Sequence, residues 1–134
     1  MKTAVSAAMR ARSVEELQVY QKALIAADEI SAILKRESFR SDWRLRAQLG
    51  GSSESVPALI AEGFSQKTDR HFAELLYRSR GESSETRTHL RAARTRDHIS
   101  SKDLEQLTSI FNEIEKMLTG LIKHLHREDR RVRG

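Results

Sequence analysis

The chain has 134 residues, the length of one domain, with 38% hydrophobic residues, 32% charged residues and a net charge of +5. Seven aromatic residues, one proline and six glycines are too few for a sandwich or barrel with many tight turns, so the composition points to helices. The absence of cysteine excludes disulfides, thiolate metal sites and a cysteine nucleophile, and no apolar run approaches the ~20 residues of a bilayer span.

Residues 1–12 read as a flexible tail with no signal peptide, and a cytoplasmic location without membrane attachment is expected. Ser13-Val14-Glu15-Glu16 has the form of a capping box. Leu17, Tyr20, Leu24, Ala27, Ile30 and Leu34 follow as a helical stripe, predicting a first helix over 14–36. Ser41 is the expected cap of a second helix over 42–62. Gly50 and Gly51 weaken that helix, and Pro57 predicts a kink, with serine hydroxyls answering the freed backbone groups. Gly63 is expected as its left-handed terminus.

Thr68 caps a third helix over 69–97, whose inward stripe is Phe72, Leu75, Leu76, Ser79, Ser83, Thr86, Leu90 and Ala93. Small and polar residues fill its middle, and Gly81 with Ser83 predicts a close helix approach. Ser100 or Ser101 caps a fourth helix over 101–127. There Leu104, Leu107, Phe111, Ile114, Leu118, Leu121 and Leu125 alternate spacings of three and four. Residues 128–134 read as a frayed basic tail. The domain is thus an all-α, antiparallel up-down-up-down four-helix bundle over 13–127. Its wide apolar stripes on the first and fourth helices predict self-association.

No Glu-x-x-His pair, nucleophile elbow or phosphate loop is present, so no catalytic residue, cofactor or metal site is assigned. The five histidines read as surface or boundary residues. Glu62 and Glu85 read as semi-buried, engaged by Arg44, Arg46 or Arg78. Arginine outnumbers lysine 17 to 7, and its planar fork suits phosphate, although GC-rich coding is the plain alternative. Arg87, Arg91 and Arg94 share one helix face, with Arg96 close by. Lys123, Arg127, Arg130 and Arg131 form a second cluster. These eight residues are the candidate nucleic-acid contacts, for RNA or DNA. The competing reading is a protein–protein scaffold whose cations are only solvated charge.

Glu16-Leu17-Gln18-Val19-Tyr20-Gln21-Lys22-Ala23 resembles the opening helix of small bacterial bundle proteins first noticed in intervening sequences of large-subunit ribosomal RNA genes. The run from Gln48 through Ser55, Pro57, Ile60, Ala61 and Glu62 to Gly63 resembles their most specific motif, and Gly81 and Glu85 resemble their third helix. Gly50 and Gly51 stand where the motif has an arginine pair, and Leu59 where it has asparagine. The resemblance implies a homopentamer without known catalysis. A related bundle, the accessory determinant of diversity-generating retroelements, implies RNA and a reverse transcriptase as partners.

Overall fold

A computed structural model describes residues 11–133, so the expected tail over 1–12 lies almost wholly outside the described residues. Four helices carry the fold: α1 (Gln18–Ile33), α2 (Trp43–Phe64), α3 (Asp69–Thr95) and α4 (Ser101–Arg133). Short 3-10 turns at Val14–Glu16 and Glu37–Ser41 precede α1 and α2. No strand occurs among the described residues.

Capping decides where the helices start. Ser13 makes no side-chain cap bond, and the Glu16 carboxylate accepts from the Arg12 amide instead, so α1 starts only at Gln18. Thr68 does cap α3, accepting from the His71 amide at 3.1 Å. Ser100 and Asp103 make a reciprocal pair before α4: the Asp103 amide donates to the Ser100 hydroxyl, and the Ser100 amide donates to the Asp103 carboxylate. α2 begins after Asp42 rather than Ser41, and that carboxylate caps nothing because it is engaged elsewhere.

The helices pack in sequence order, with α1 closing against α4. α3 makes the most extensive contacts, against α2 and α4, and α1 is the least embraced. Gly63 meets Phe72, Val56 meets Ser79 and Ser52 meets Thr86, so α2 and α3 run past each other in opposite senses. Arg80 with Thr119 and Arg87 with Glu115 do the same for α3 and α4. The heptad residues Leu107, Phe111, Ile114, Leu118, Leu121 and Leu125 are all buried, each worth ~1.5–3 kcal/mol of transfer free energy. The stripe on α1 is narrower than its spacing predicts: Leu24 is 40% exposed.

The polar middle of α3 is fully interior. Ser79 donates to the Val56 carbonyl at 2.8 Å, Ser83 to Glu115 at 2.8 Å, and Thr86 to the Ser52 hydroxyl at 2.8 Å. No buried side-chain polar atom lacks a partner among the described residues. A buried hydroxyl left unpaired costs ~1–3 kcal/mol, so these bonds are what permits serine and threonine there.

α2 is continuous through Pro57 and ends at Phe64, two residues beyond its expected end. Three expectations at its serines and at two glycines change. The hydroxyls of Ser52, Ser53 and Ser55 donate to Leu49, Gly50 and Gly51, not to Ser53, the carbonyl that the proline ring leaves without a donor. Gly63 is helical, with no positive φ. Its role is proximity, since a Cβ there would stand 2.9 Å from the Phe72 ring. Gly81 is exposed with nothing within 4 Å of a Cβ, so it permits no close approach.

Candidate nucleic-acid interface

The α3 arginines lie along the seam with α4, where acids meet them. Arg87 holds Glu115 through two bonds of 2.7 and 2.8 Å, and the pair is largely shielded from solvent. Glu115 also accepts from buried Ser83, which fixes the carboxylate from below. These bonds hold Arg87 still more firmly protonated than an ordinary guanidinium. Arg94 donates to Ser101 and pairs with Asp97 at 3.3 Å. Arg96 pairs with Asp42 at 3.0 Å. Of this cluster only Arg91 has no ion pair among the described residues, and it borders a groove that also contains Glu105, Glu113 and Lys116.

The second cluster is built differently. α4 does not end near Arg127; it runs to Arg133, so the expected frayed tail over 128–133 is helical. Arg131 and Arg133 turn back to Glu128 at 2.7 Å and Asp129 at 3.5 Å, and these acids are three-quarters covered. Glu128 and Asp129 also face Asp69 at the start of α3. Burial, then these two carboxylates, push the Asp69 carboxyl up. Asp69, Glu128 and Asp129 are thus partly covered, while Glu62 and Glu74 at the same end are exposed. Lys116, Lys123, Arg127 and Arg130 are all exposed, and none pairs with a described acid. With Gly120 they follow spacings of four, three, four and three, which places them on one helix face. Lys116 was missed by the sequence reading because a single lysine amid Glu113, Glu115 and the apolar seam gives no cluster signal.

The motif residues serve the fold. Pro57, Ile60 and Gly63 are buried, Ser55 and Ala61 half-buried, and Gln48, Glu62 and Gly81 exposed. Glu85 is exposed and lies 3.3 Å from His89. Neither Glu62 nor Glu85 is semi-buried as expected, and neither pairs with Arg44, Arg46 or Arg78. No group of three or more metal-ligating side chains occurs among the described residues.

His98 was read as peripheral and is interior. It stacks on Phe39 at 4.2 Å, contacts the Ser38 hydroxyl at 2.9 Å, and meets Asp42 at 2.8 Å. Hydrogen bonds from His98 and Arg96 hold the Asp42 carboxyl below its usual range. This clasp ties the α1–α2 link to the α3–α4 link. His124 is buried as well, and burial pushes its ring pKa down.

No helix among the described residues is long and apolar enough to cross a membrane. No curated protein matches the chain. A crystal structure of a protein of unknown function from the S23 ribosomal protein family, from Bacteroides thetaiotaomicron, is similar in fold: the TM-score is 0.71 at 24% identity, covering 78% of this chain and 98% of that one. The model of the 23S rRNA-intervening sequence proteins matches residues 15–120, most of the bundle. The chain belongs to the 23S rRNA-intervening sequence protein family.

Proposed function

We propose that this protein is a non-enzymatic, self-associating bundle that binds RNA phosphates as an accessory factor, with the outer face of α4 as the contact. The observation that carries this reading is the row Lys116, Lys123, Arg127 and Arg130, exposed and paired with no acid among the described residues. Cations already neutralised within the chain release few counterions on binding; free ones supply most of the salt-dependent affinity. The family's link to 23S rRNA intervening sequences is the ground for naming RNA before DNA. Self-association, to the pentamer that the family resemblance implies, would repeat the row around the assembly and make it multivalent.

The test is fluorescence anisotropy with a structured RNA at low and physiological salt. One variant replaces Lys116, Lys123, Arg127 and Arg130 with alanine; a second replaces Arg87, Arg91 and Arg94. The first is expected to lose affinity on every RNA and to flatten the logarithmic salt slope by roughly three. Loss confined to the second variant moves the contact to α3. No binding at low salt overturns the reading.

A second reading, a protein–protein scaffold, draws on the exposed Leu24 and Ile25 of α1 and the half-buried Leu104, Ile110 and Met117 of α4. A partner such as a reverse transcriptase, retained after nuclease treatment and lost on Leu24→Asp, would favour it.

A further inference from the structure

Trp43 is the chain's only tryptophan, the first residue of α2, and 68% exposed. A residue of this size is ordinarily well covered, and the bundle interior begins only two residues on, at buried Leu45. The Arg44 guanidinium lies over the indole at 5.6 Å. The residue is 68% exposed with that contact in place. Arg40, Arg44 and Arg46 surround the position in sequence, within one turn on either side, and none pairs with a described acid. Of the neighbouring carboxylates, Asp42 is held by Arg96 and His98, and Glu37 is the exposed exception.

The mount is stiff. Phe39 is fully buried and stacked on His98, so the link leading into Trp43 is anchored from inside. Beyond the ring, α2 offers exposed Ala47 and Gly51 at the next two turns, and a Cβ on Gly51 would meet nothing within 4 Å. An exposed indole on an anchored segment, with Arg44 against it and Arg40 and Arg46 close in sequence and free of described acids, is the chemistry that stacks a nucleobase and holds its flanking phosphates.

We propose that Trp43 is a stacking platform for an unpaired base, with Arg40, Arg44 and Arg46 gripping the adjoining backbone. This deepens the RNA reading above by naming the substrate class: RNA with single-stranded nucleotides, not uninterrupted duplex. In a duplex the bases are stacked on one another and present no face to an indole. The platform lies at the clasp end of the bundle, beside Arg96 and His98. The row on α4 extends toward the other end, where His126 meets Tyr77 at 3.2 Å. At 1.5 Å per residue the two are about 30 Å apart along α4, a span that one folded RNA can bridge.

With a single tryptophan, indole emission excited beyond the absorption of Tyr20 and Tyr77 reports on this residue alone. The experiment titrates the protein with single-stranded oligouridine of about ten nucleotides and, separately, with an RNA duplex of equal length, recording indole fluorescence and anisotropy of the labelled RNA together. Trp43→Ala, Trp43→Phe and the α4 alanine variant run alongside. Quenching by the single strand, weaker with duplex, is expected. Trp43→Ala should weaken single-strand binding on the order of tenfold, Trp43→Phe should retain most of it, and thermal melts of both should match the parent. Single-strand binding by anisotropy with unchanged fluorescence and an unaffected Trp43→Ala variant overturns the platform and leaves the RNA reading standing. Quenching that survives in the α4 variant keeps the platform and removes the α4 contact. Binding to neither RNA overturns both and turns the exposed indole into a protein-facing residue.

Discussion

Two rows of cations sit on neighbouring helices at the same alternating spacing. Arg87, Arg91 and Arg94 on α3 face Glu115 and the start of α4, and two of the three are engaged there. Lys116, Lys123, Arg127 and Arg130 on α4 face outward and are engaged by no described acid. Spacing alone cannot separate them. What separates them is what each row faces: Glu115, Ser101 and Asp97 reach the α3 row across or beside the seam with α4, while no described acid reaches the α4 row. The first row is part of what holds the bundle together; the second is charge left over for something else.

Several substitutions break or sharpen this contrast. The largest effect belongs to Glu115→Ala. It strands the shielded Arg87 guanidinium and leaves Ser83 only the longer bond to the Phe111 carbonyl, so chemical denaturation should show a loss of about 2 kcal/mol. The same change frees a cation, so low-salt RNA affinity should rise although the fold weakens; an unchanged affinity would break the argument that pairing silences the α3 row. Next, Arg87→Ala should cost about 1.5 kcal/mol, whereas Arg127→Ala should stay within about 0.5 kcal/mol in the same assay. Equal costs would erase the distinction between the rows. Gly120→Ala should then raise stability by up to about 1 kcal/mol, because the position is exposed, helical and open around a Cβ.

The smallest effect is confined to acid. Asp42 is held low by His98 and Arg96, and Asp103 by Arg36 and the Ser100 amide. A carboxylate with a depressed folded pKa binds fewer protons folded than unfolded, so its stabilisation is complete above the ordinary carboxylate range of ~3.9 and is lost as pH falls below it. Melting temperature measured against pH should therefore decline below that range, and Asp42→Asn with Asp103→Asn should flatten the decline.

The helical architecture was legible because periodicity is a local signal. The seam of α4 reads directly from Leu107 to Leu125, and every polar residue placed inward on α3 is buried. Thr68 and Ser100 announced their caps for the same reason. Most of the failures are non-local; the Ser13 box, whose Glu16 turns to the Arg12 amide, and the end of α4 are local ones. Glu115 stands 28 residues from Arg87, and nothing in either neighbourhood marks the pair. Gly63 carries the sequence signature of a helix stop, but its real constraint is a phenyl ring on the next helix. Gly81 had the signature of a close approach and faces open space. The end of α4 was cut short because a run of charges reads as fraying. The Glu128–Arg131 and Asp129–Arg133 contacts, one helical turn apart, support the helix instead.

The interior hydroxyls bear on how this molecule can move. Ser79, Ser83 and Thr86 each meet a matched acceptor on α2 or α4. Advancing α3 by one turn, about 5.4 Å, would break the cross-helix bonds of all three at once and leave Thr86 only the Glu82 carbonyl of its own helix. A bundle lined only with leucine has several nearly equivalent settings; this one is a keyed lock with a single seat. Shear along the helix axes is thereby closed off as a way of responding to a partner. A signal arriving at one end of the bundle would reach the other as a displacement of the whole body.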